Sequence, residues 1–363
     1  MMHWRRNKAW FLKLTIILMF CTSALYISLP ALKDIPTNNQ IRHTDCDKSH
    51  PKKAYQTQST RRCLTKMSND SCKTCLNGWS GKDCGIPPHP SHVTITERDE
   101  PCYIVQATIV NHEIDILKIK IDNSLPYTDE LIVIEGDKTF ALEPKSFLCK
   151  THEKELSSLI KLRQLHVHIK TTDKHSWDVQ NEMRLGNSNL HNFYKDIPLN
   201  SLVIFTDLDD IVRPEVLHFL KYYNSSPYPT GVEWDTFLFG FFFLDSVLYN
   251  PSSFGTIFQS PLDIRGQPKT WTIPKGGWHC RWCFTIEDIQ FKLKSSPYVD
   301  LPRIADNPKM MKPYVIYDHI LKGKWFLGKK RIPRIEPQDI PINTPIYLRS
   351  YDWWIKHPPR KTA

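Results

Sequence analysis

The chain has 363 residues, 40% of them hydrophobic and 24% charged, with a formal net charge of +10. That balance is ordinary for a globular protein and excludes a disordered or low-complexity chain, while the length allows one or two domains with a sizeable core. The modest basic excess suits diphosphates, acidic glycans or an anionic membrane surface, and the first segment of the chain argues against nucleic acid as a partner.

That segment is residues 9–29. It is strongly apolar, broken only by Lys13, and follows Arg5, Arg6 and Lys8. Its length matches the roughly 20 residues that cross a bilayer, with Lys13 snorkelling to the interface. The basic flank keeps residues 1–8 in the cytosol and sends the rest to the lumen. A cleaved signal peptide is the rival reading, but its apolar core would be shorter and no clear Ala-x-Ala site follows. The expectation is a single-pass type II membrane protein.

Ten cysteines fit an oxidising lumen. Cys21 lies in the apolar span, and an odd number remains. One lumenal thiol is therefore free or links two chains into a dimer. Asn69 and Asn224 each open an Asn-x-Ser sequon. Residues 30–62 are polar, basic and aperiodic, which reads as a stem. Residues 63–86 hold Cys63, Cys72, Cys75 and Cys84 and end in CLNGWSGKDC, similar to the second half of an EGF-like module. Two disulfides among these four cysteines are expected. Residues 87–100, with Pro87, Pro88 and Pro90, read as a stiff linker to a main domain at 101–355.

In that domain Tyr103–Val110 reads as a strand, and Asn111 as the cap of a helix with Ile114, Leu117 and Ile121 in a stripe. Leu131–Glu135 is a second strand, His152–Arg163 a helix, Leu165–Lys170 a third strand and Asp173–Tyr194 a helix. Leu202–Phe205 is the fourth strand. The alternation predicts an α/β fold with a mainly parallel sheet.

The central stretch is Ser201–Pro214, SLVIFTDLDDIVRP. An apolar run ends in Asp207, Asp209 and Asp210, and Pro214 stands where a helix likes its first residue. The predicted helix Pro214–Tyr223 follows. The acids thus lie at the carboxyl end of a buried strand, the edge where open α/β sheets bind ligands. A hard divalent cation, Mg²⁺ or Mn²⁺, takes one or two carboxylates plus phosphate oxygens. Such a site carries a nucleotide diphosphate and stabilises it as a leaving group. The plainer reading is a solvated acidic turn that caps the helix.

Beyond this, Phe237–Tyr249 is aromatic enough to be sheet core. Gly276–Leu293 reads GGWHCRWCFTIEDIQFKL. Gly276 and Gly277 permit a tight turn. Trp278 and Trp282 offer flat faces for an acceptor sugar. Glu287 and Asp288 open a helix. Cys280 and Cys283, with Cys102 and Cys149, suggest structural disulfides.

These motifs resemble glycosyltransferase family 17, the family of bisecting N-acetylglucosaminyltransferases. The likeness runs through VNHEIDIL (Val110–Leu117), LIVIEGDKTFALEPKSF (Leu131–Phe147), SWDVQNEMR (Ser176–Arg184), the Asp-x-Asp stretch and Gly276–Leu293. It covers Cys102–Leu293, with a looser tail to Tyr351. The resemblance implies a Golgi enzyme with a GT-A-like nucleotide-sugar-binding fold, UDP-N-acetylglucosamine as donor and a divalent cation, Mn²⁺. It implies inverting transfer in β1,4 linkage to the core β-mannose of an N-glycan. By position, Asp207 and Asp209 would hold the metal. Asp210 stands where the family has Glu in Asp-x-Asp-Glu-Ile-Pro.

Inverting transfer needs a carboxylate to take the acceptor hydroxyl's proton. Glu287 is the first candidate, Asp288 the second and Asp245 an alternative. Arg184, Glu113 and Glu135 are candidate donor contacts. Two other readings stand beside this one: an inverting transferase with a different acceptor, and a non-catalytic membrane-tethered glycan-binding protein.

Overall fold

The computed structural model describes residues 75, 78–81, 83–172, 177–188, 194–198, 201–226, 230–249, 253–254, 256–257, 270–295, 304–326, 331–337 and 339–360. The predicted anchor, the stem, and Cys63 and Cys72 lie outside them. No helix among the described residues is long and apolar enough to cross a membrane.

The chain enters through a loop closed by a Cys75–Cys84 disulfide and then forms β1 (Thr94–Glu97). The expected linker is part of the fold here. β1 pairs antiparallel with β7 (Tyr223–Ser226) over four residues. The Cys-rich loop is docked as well. The hydroxyl of Tyr223 donates to Asp83 Oδ1 at 2.8 Å, and Asp83 Oδ2 lies 2.6 Å from His218 Nε2. Proline content predicts stiffness, but it cannot reveal a pairing partner over a hundred residues away.

The first sheet is the predicted parallel one. Its strands are β2 (Ile104–Val110), β3 (Glu130–Gly136), β4 (Leu162–Val167) and β5 (Leu202–Asp207), all parallel. Their order is β5-β2-β3-β4, with the short β11 (Thr256–Ile257) antiparallel at the β5 edge. β2 and β3 are buried along their whole length, as interior parallel strands are. α1 (Ile114–Ser124) returns the chain from β2 to β3. α2 (Leu148–Thr151) and α3 (Glu153–Leu159) precede β4, and α4 (Asp178–Ser188) precedes β5.

Two predicted boundaries move. The helix expected to reach Arg163 stops at Leu159, because Leu162–Val167 is taken up pairing with β3. Arg163 meets the fully buried Glu130 and bonds Asp196. The helix expected over Asp173–Tyr194 is α4, and Tyr194 is outside it, donating its hydroxyl to the Gln164 carbonyl at 2.8 Å.

A second sheet begins directly after the acids. β6 (Asp210–Val212) intervenes before α5 (Pro214–Tyr222), so strand and helix are not joined by a simple turn. β6 pairs antiparallel with β12 (Trp271–Arg281), which runs parallel to β8 (Thr230–Leu238). β9 (Leu244–Tyr249) and β10 (Ser253–Phe254) pair with β8. The aromatic run is core as expected: Phe237, Phe239, Phe241, Phe242 and Phe243 are all buried, in one cluster with Ile116, Leu117 and Trp278. α6 (Ile286–Ser295), α7 (Pro313–Leu321), α8 (Ile346–Arg349) and α9 (Tyr351–Lys356) complete the described chain.

The expected tight turn at Gly276–Gly277 is instead the interior of β12, where the register with β8 shifts between Ile273 and Gly277. Cys280 and Cys283 bond each other, and Cys102 is also disulfide-bonded. Cys149 is a free thiol at 0% exposure. Burial drives its pKa up, and its position excludes it as a link between two chains.

Candidate active site

Asp207 is the last residue of β5 and pairs with Ile109 of β2, while Asp210 is the first of β6 and faces His279 of β12. Only Leu208 and Asp209 cross from the first sheet to the second. The carboxyl ends of the parallel strands and the end of β12 therefore flank one cleft. Its walls include Asn111, Glu113, Arg184, Asp207, Asp209 and His279.

Each acid has a different job. Asp207 lies with both carboxylate oxygens 3.4 Å from Arg184 Nη2. Asp209 faces Lys292 at 3.9 Å and His279 at 4.0 Å. Burial raises the Asp209 pKa, and Asp210 and Asp207 add to the effect. Asp210 is fully buried and sits 2.7 Å from His279 Nδ1, while accepting the backbone N–H of Asp207 at 3.3 Å. Burial opposes charge on His279, but Asp209 and the Asp210 bond outweigh it and raise its pKa.

Beneath the turn is Lys120 of α1, 1% exposed. Its ammonium donates to Thr206 Oγ1 at 2.6 Å and to the carbonyls of Asp207 and Asp210, both at 2.8 Å. Burial lowers its pKa to about 8 against the pull of the three acids.

The donor set fits a divalent cation. One ligand atom each from Asp209, Asp210 and His279 lie within 4.8 Å of one another. Carboxylate oxygens suit a hard divalent cation, and one imidazole beside them widens the choice toward the transition metals. The expected pair was Asp207 with Asp209. The cluster gathers instead around Asp209, because β6 aligns Asp210 with His279 across the strand pair. Asp207, Asp209 and His279 face the cleft, and Asp210 orients His279 from behind.

The rest of the cleft is cationic and aromatic. Arg184, Arg281 and Lys292 line it, with Phe140, Trp177, Trp282, Phe284 and Trp325. Lys292 lies 4.5 Å above the Phe284 ring. Burial opposes its charge, but Glu113 and Asp209 hold its pKa up. Asn111 Oδ1 and Gln180 Oε1 are buried in the cleft wall without a hydrogen-bond partner among the described residues.

Glu113 accepts from Lys292 at 3.3 Å and from the N–H of His112 at 3.0 Å. Burial alone would raise its pKa, yet His112, Lys292 and that N–H hold it at about 2, well below the usual carboxylate range. A depressed carboxylate contributes stability above its unfolded pKa and loses it as pH falls through the folded one. The shift corresponds to about 3 kcal/mol. Glu113→Gln should therefore unfold more easily than the native chain at pH 6 and converge with it near pH 2. Urea unfolding at both pH values checks this, and parallel pH profiles would refute it.

Of the expected site residues, Asp207, Asp209, Arg184, Glu113 and Trp282 meet at the cleft. Four others do not line it. Glu135 is buried and accepts the N–H groups of Leu148 and Cys149, both at 2.8 Å, so it caps α2. Trp278 is 1% exposed, with the Arg213 guanidinium 4.2 Å over its ring and its indole N–H on the Asp339 carbonyl, so no sugar reaches it. Glu287 is exposed on α6. Asp288 accepts the Thr285 hydroxyl at 2.9 Å and returns its own N–H, an N-terminal cap. The alternative base, Asp245, binds Arg281 Nη2 at 2.7 Å. Glu287→Gln should leave transfer near the native rate. A large fall measured at saturating donor would restore Glu287 as the base.

Sequence reasoning missed Lys120, His279, Asn111, Gln180, Trp177 and Trp325. His279 lies within the GGWHCRWCF string, where tryptophan and cysteine drew the attention. Trp177 opens the SWDVQNEMR motif. Lys120 left no signal, since a lysine on an amphipathic helix reads as solvated.

Comparison with known proteins gives the same direction. The human beta-1,4-mannosyl-glycoprotein 4-beta-N-acetylglucosaminyltransferase is 26% identical over 343 residues, 80% of this chain and 63% of its own length. The rat protein of that name is 26% identical over 326 residues, 77% of this chain and 60% of its own. The chain thus spans about three-fifths of the length of these curated relatives. The model of Glycosyltransferase family 17 matches residues 90–329, from before β1 to beyond α7. With the three-acid turn, β12 and the cleft all inside that match, the chain belongs to glycosyltransferase family 17.

Proposed function

We propose that the chain is a transferase that moves N-acetylglucosamine from UDP-N-acetylglucosamine to the core β-mannose of an N-glycan, in β1,4 linkage and with inversion. The observation that carries this reading is the three-acid turn set in a cleft with Arg184, Arg281 and Lys292 on its walls. Carboxylates that hold a cation, surrounded by fixed cations, are what a departing nucleotide diphosphate requires. The bound metal, Mn²⁺ in this reading, neutralises charge on the diphosphate as it leaves.

The chain's own residues bind the cation, the donor and the sugar. Asp209, with His279 and Asp210 in its cluster, would hold the cation, and Asp207 adds a carboxylate at the cleft. Arg184, beside Asp207, and Lys292, beside Asp209, are the cations that would meet the phosphates of the donor. Asn111 Oδ1 and Gln180 Oε1 offer unsatisfied acceptors to hydroxyl or N–H groups of the donor. Trp177 and Trp325 at the cleft supply sugar-stacking faces, with Trp282 beside Trp325 at a ring separation of 5.4 Å. The place of action in this reading is the Golgi lumen, with residues 9–29 as a single-pass type II anchor.

The test is to incubate the purified full-length chain with a panel of UDP-sugars, Mn²⁺ and defined N-glycans, and to identify products by mass. A product heavier by one N-acetylhexosamine, with its linkage on the core mannose, supports the reading. Transfer to another position makes it a family member with a different acceptor. Glycan binding with no UDP released makes it a binding protein.

A further inference from the structure

We infer that Lys120 is a positioning residue for the cation and diphosphate end of the cleft. The inference rests on the reading of the three-acid turn as the cation-holding element. Only two residues cross between the sheets, and within the crossing the Asp207 N–H donates to Asp210 Oδ2 at a long 3.3 Å, so a tie from outside the turn adds to what holds Asp207 against Asp210. Lys120 comes from α1, outside both sheets, and spans that crossing. It takes Thr206 and Asp207 on the first sheet's side, at 2.6 and 2.8 Å, and the Asp210 carbonyl on the second sheet's side at 2.8 Å. An ammonium has three N–H donors, and all three are used on this one turn.

The choice of acceptors is informative. Lys120 bonds the carbonyls of the acidic residues and not their carboxylates. Asp207 and Asp209 therefore keep their carboxylates toward the cleft. The buried positive charge also offsets three acids held close together. Lys221 offers the contrast. It is equally buried, at 1% exposed, but it ties α5 to the Asp129 carboxylate and the Tyr127 carbonyl, and none of these residues lines the cleft. One buried lysine ties a helix to a loop, and the other holds the turn that carries the ligand atoms.

The experiment compares Lys120→Met with Lys221→Met in the full-length chain. Mn²⁺ affinity is measured without donor by electron paramagnetic resonance, beside the melting temperature. Both variants should melt lower. Lys120→Met alone should weaken Mn²⁺ binding, about 10- to 100-fold, as the loss of a group that orients metal ligands does. Native-like Mn²⁺ affinity in folded Lys120→Met would overturn the inference. Should Lys120→Met not fold, Lys120→Arg decides: it keeps the charge but spreads the donors over a planar fork. Weakened Mn²⁺ binding in that folded variant supports the positioning role, and native affinity overturns it. A native chain that binds no Mn²⁺ overturns the cation reading beneath it instead.

Discussion

Replacing Asp209 with alanine should cut transfer by on the order of 10²–10³ or more, while the chain remains as stable as the native protein or becomes more so. The two halves of this expectation have one cause. The Asp209 pKa is raised by burial and by Asp210 and Asp207, so its charge is held at a cost to the fold. Its side chain makes no hydrogen bond to the backbone among the described residues, and its nearest charges, Lys292 and His279, stand at 3.9 and 4.0 Å. The backbone contact to Cys280 comes from the Asp209 carbonyl, which alanine keeps. Removing the carboxylate relieves repulsion within the cluster but takes a ligand from the cation. Asp207→Ala should lose transfer similarly and also free Arg184. The measurements are transfer rate, Mn²⁺-dependent donor binding and melting temperature. Near-native transfer by Asp209→Ala would reduce the cluster to a solvated turn. Loss of transfer together with a large fall in stability would mark Asp209 as structural.

Gly277→Ala should produce the largest loss of stability among small substitutions in the second sheet. A Cβ at Gly277 would lie 2.1 Å from Trp234 Cζ3 and 2.7 Å from the Ile211 carbonyl oxygen. Neither neighbour can yield. Trp234 is 1% exposed in the core, and Ile211 belongs to β6, which pairs with β12 at this point. Overpacking of this kind costs about 3 kcal/mol. Activity should fall as well, because β12 carries His279 to the cation cluster and β6 carries Asp210. Urea unfolding measures the first effect and Mn²⁺ binding the second. An alanine variant with native stability would mean that Trp234 can move, and that the close approach of β8 and β12 is not what the glycine serves.

Much of the parallel sheet was legible because its strands are apolar runs bounded by polar segments. Ile104–Val110, Glu130–Gly136 and Leu202–Asp207 announce themselves by composition. The position of Asp207 and Asp209 was legible for a related reason: an apolar run that stops in carboxylates marks the end of a buried strand. The aromatic run at Phe237–Phe243 was legible as core, since so many rings demand burial.

What misled the reading of Gly276–Asp288 was identical local chemistry with different surroundings. A tryptophan that stacks on a sugar and one that sits beneath an arginine look alike in sequence, and Arg213 decided for Trp278. An acid at a helix start serves equally as base or cap, and Thr285 decided for Asp288.

By itself the sequence determined the α/β class, the place of the acidic turn at a strand end, and the family through its motifs. Only the tertiary structure decided that the turn joins two sheets, that His279 meets Asp209 and Asp210, and that Lys120 lies beneath them. The physical reason is range. Strand and turn preferences act over neighbouring residues, whereas Lys120 and Asp210 are 90 residues apart and Asp210 and His279 are 69 apart. Their meeting depends on how α1 and the two sheets pack, which no local pattern encodes.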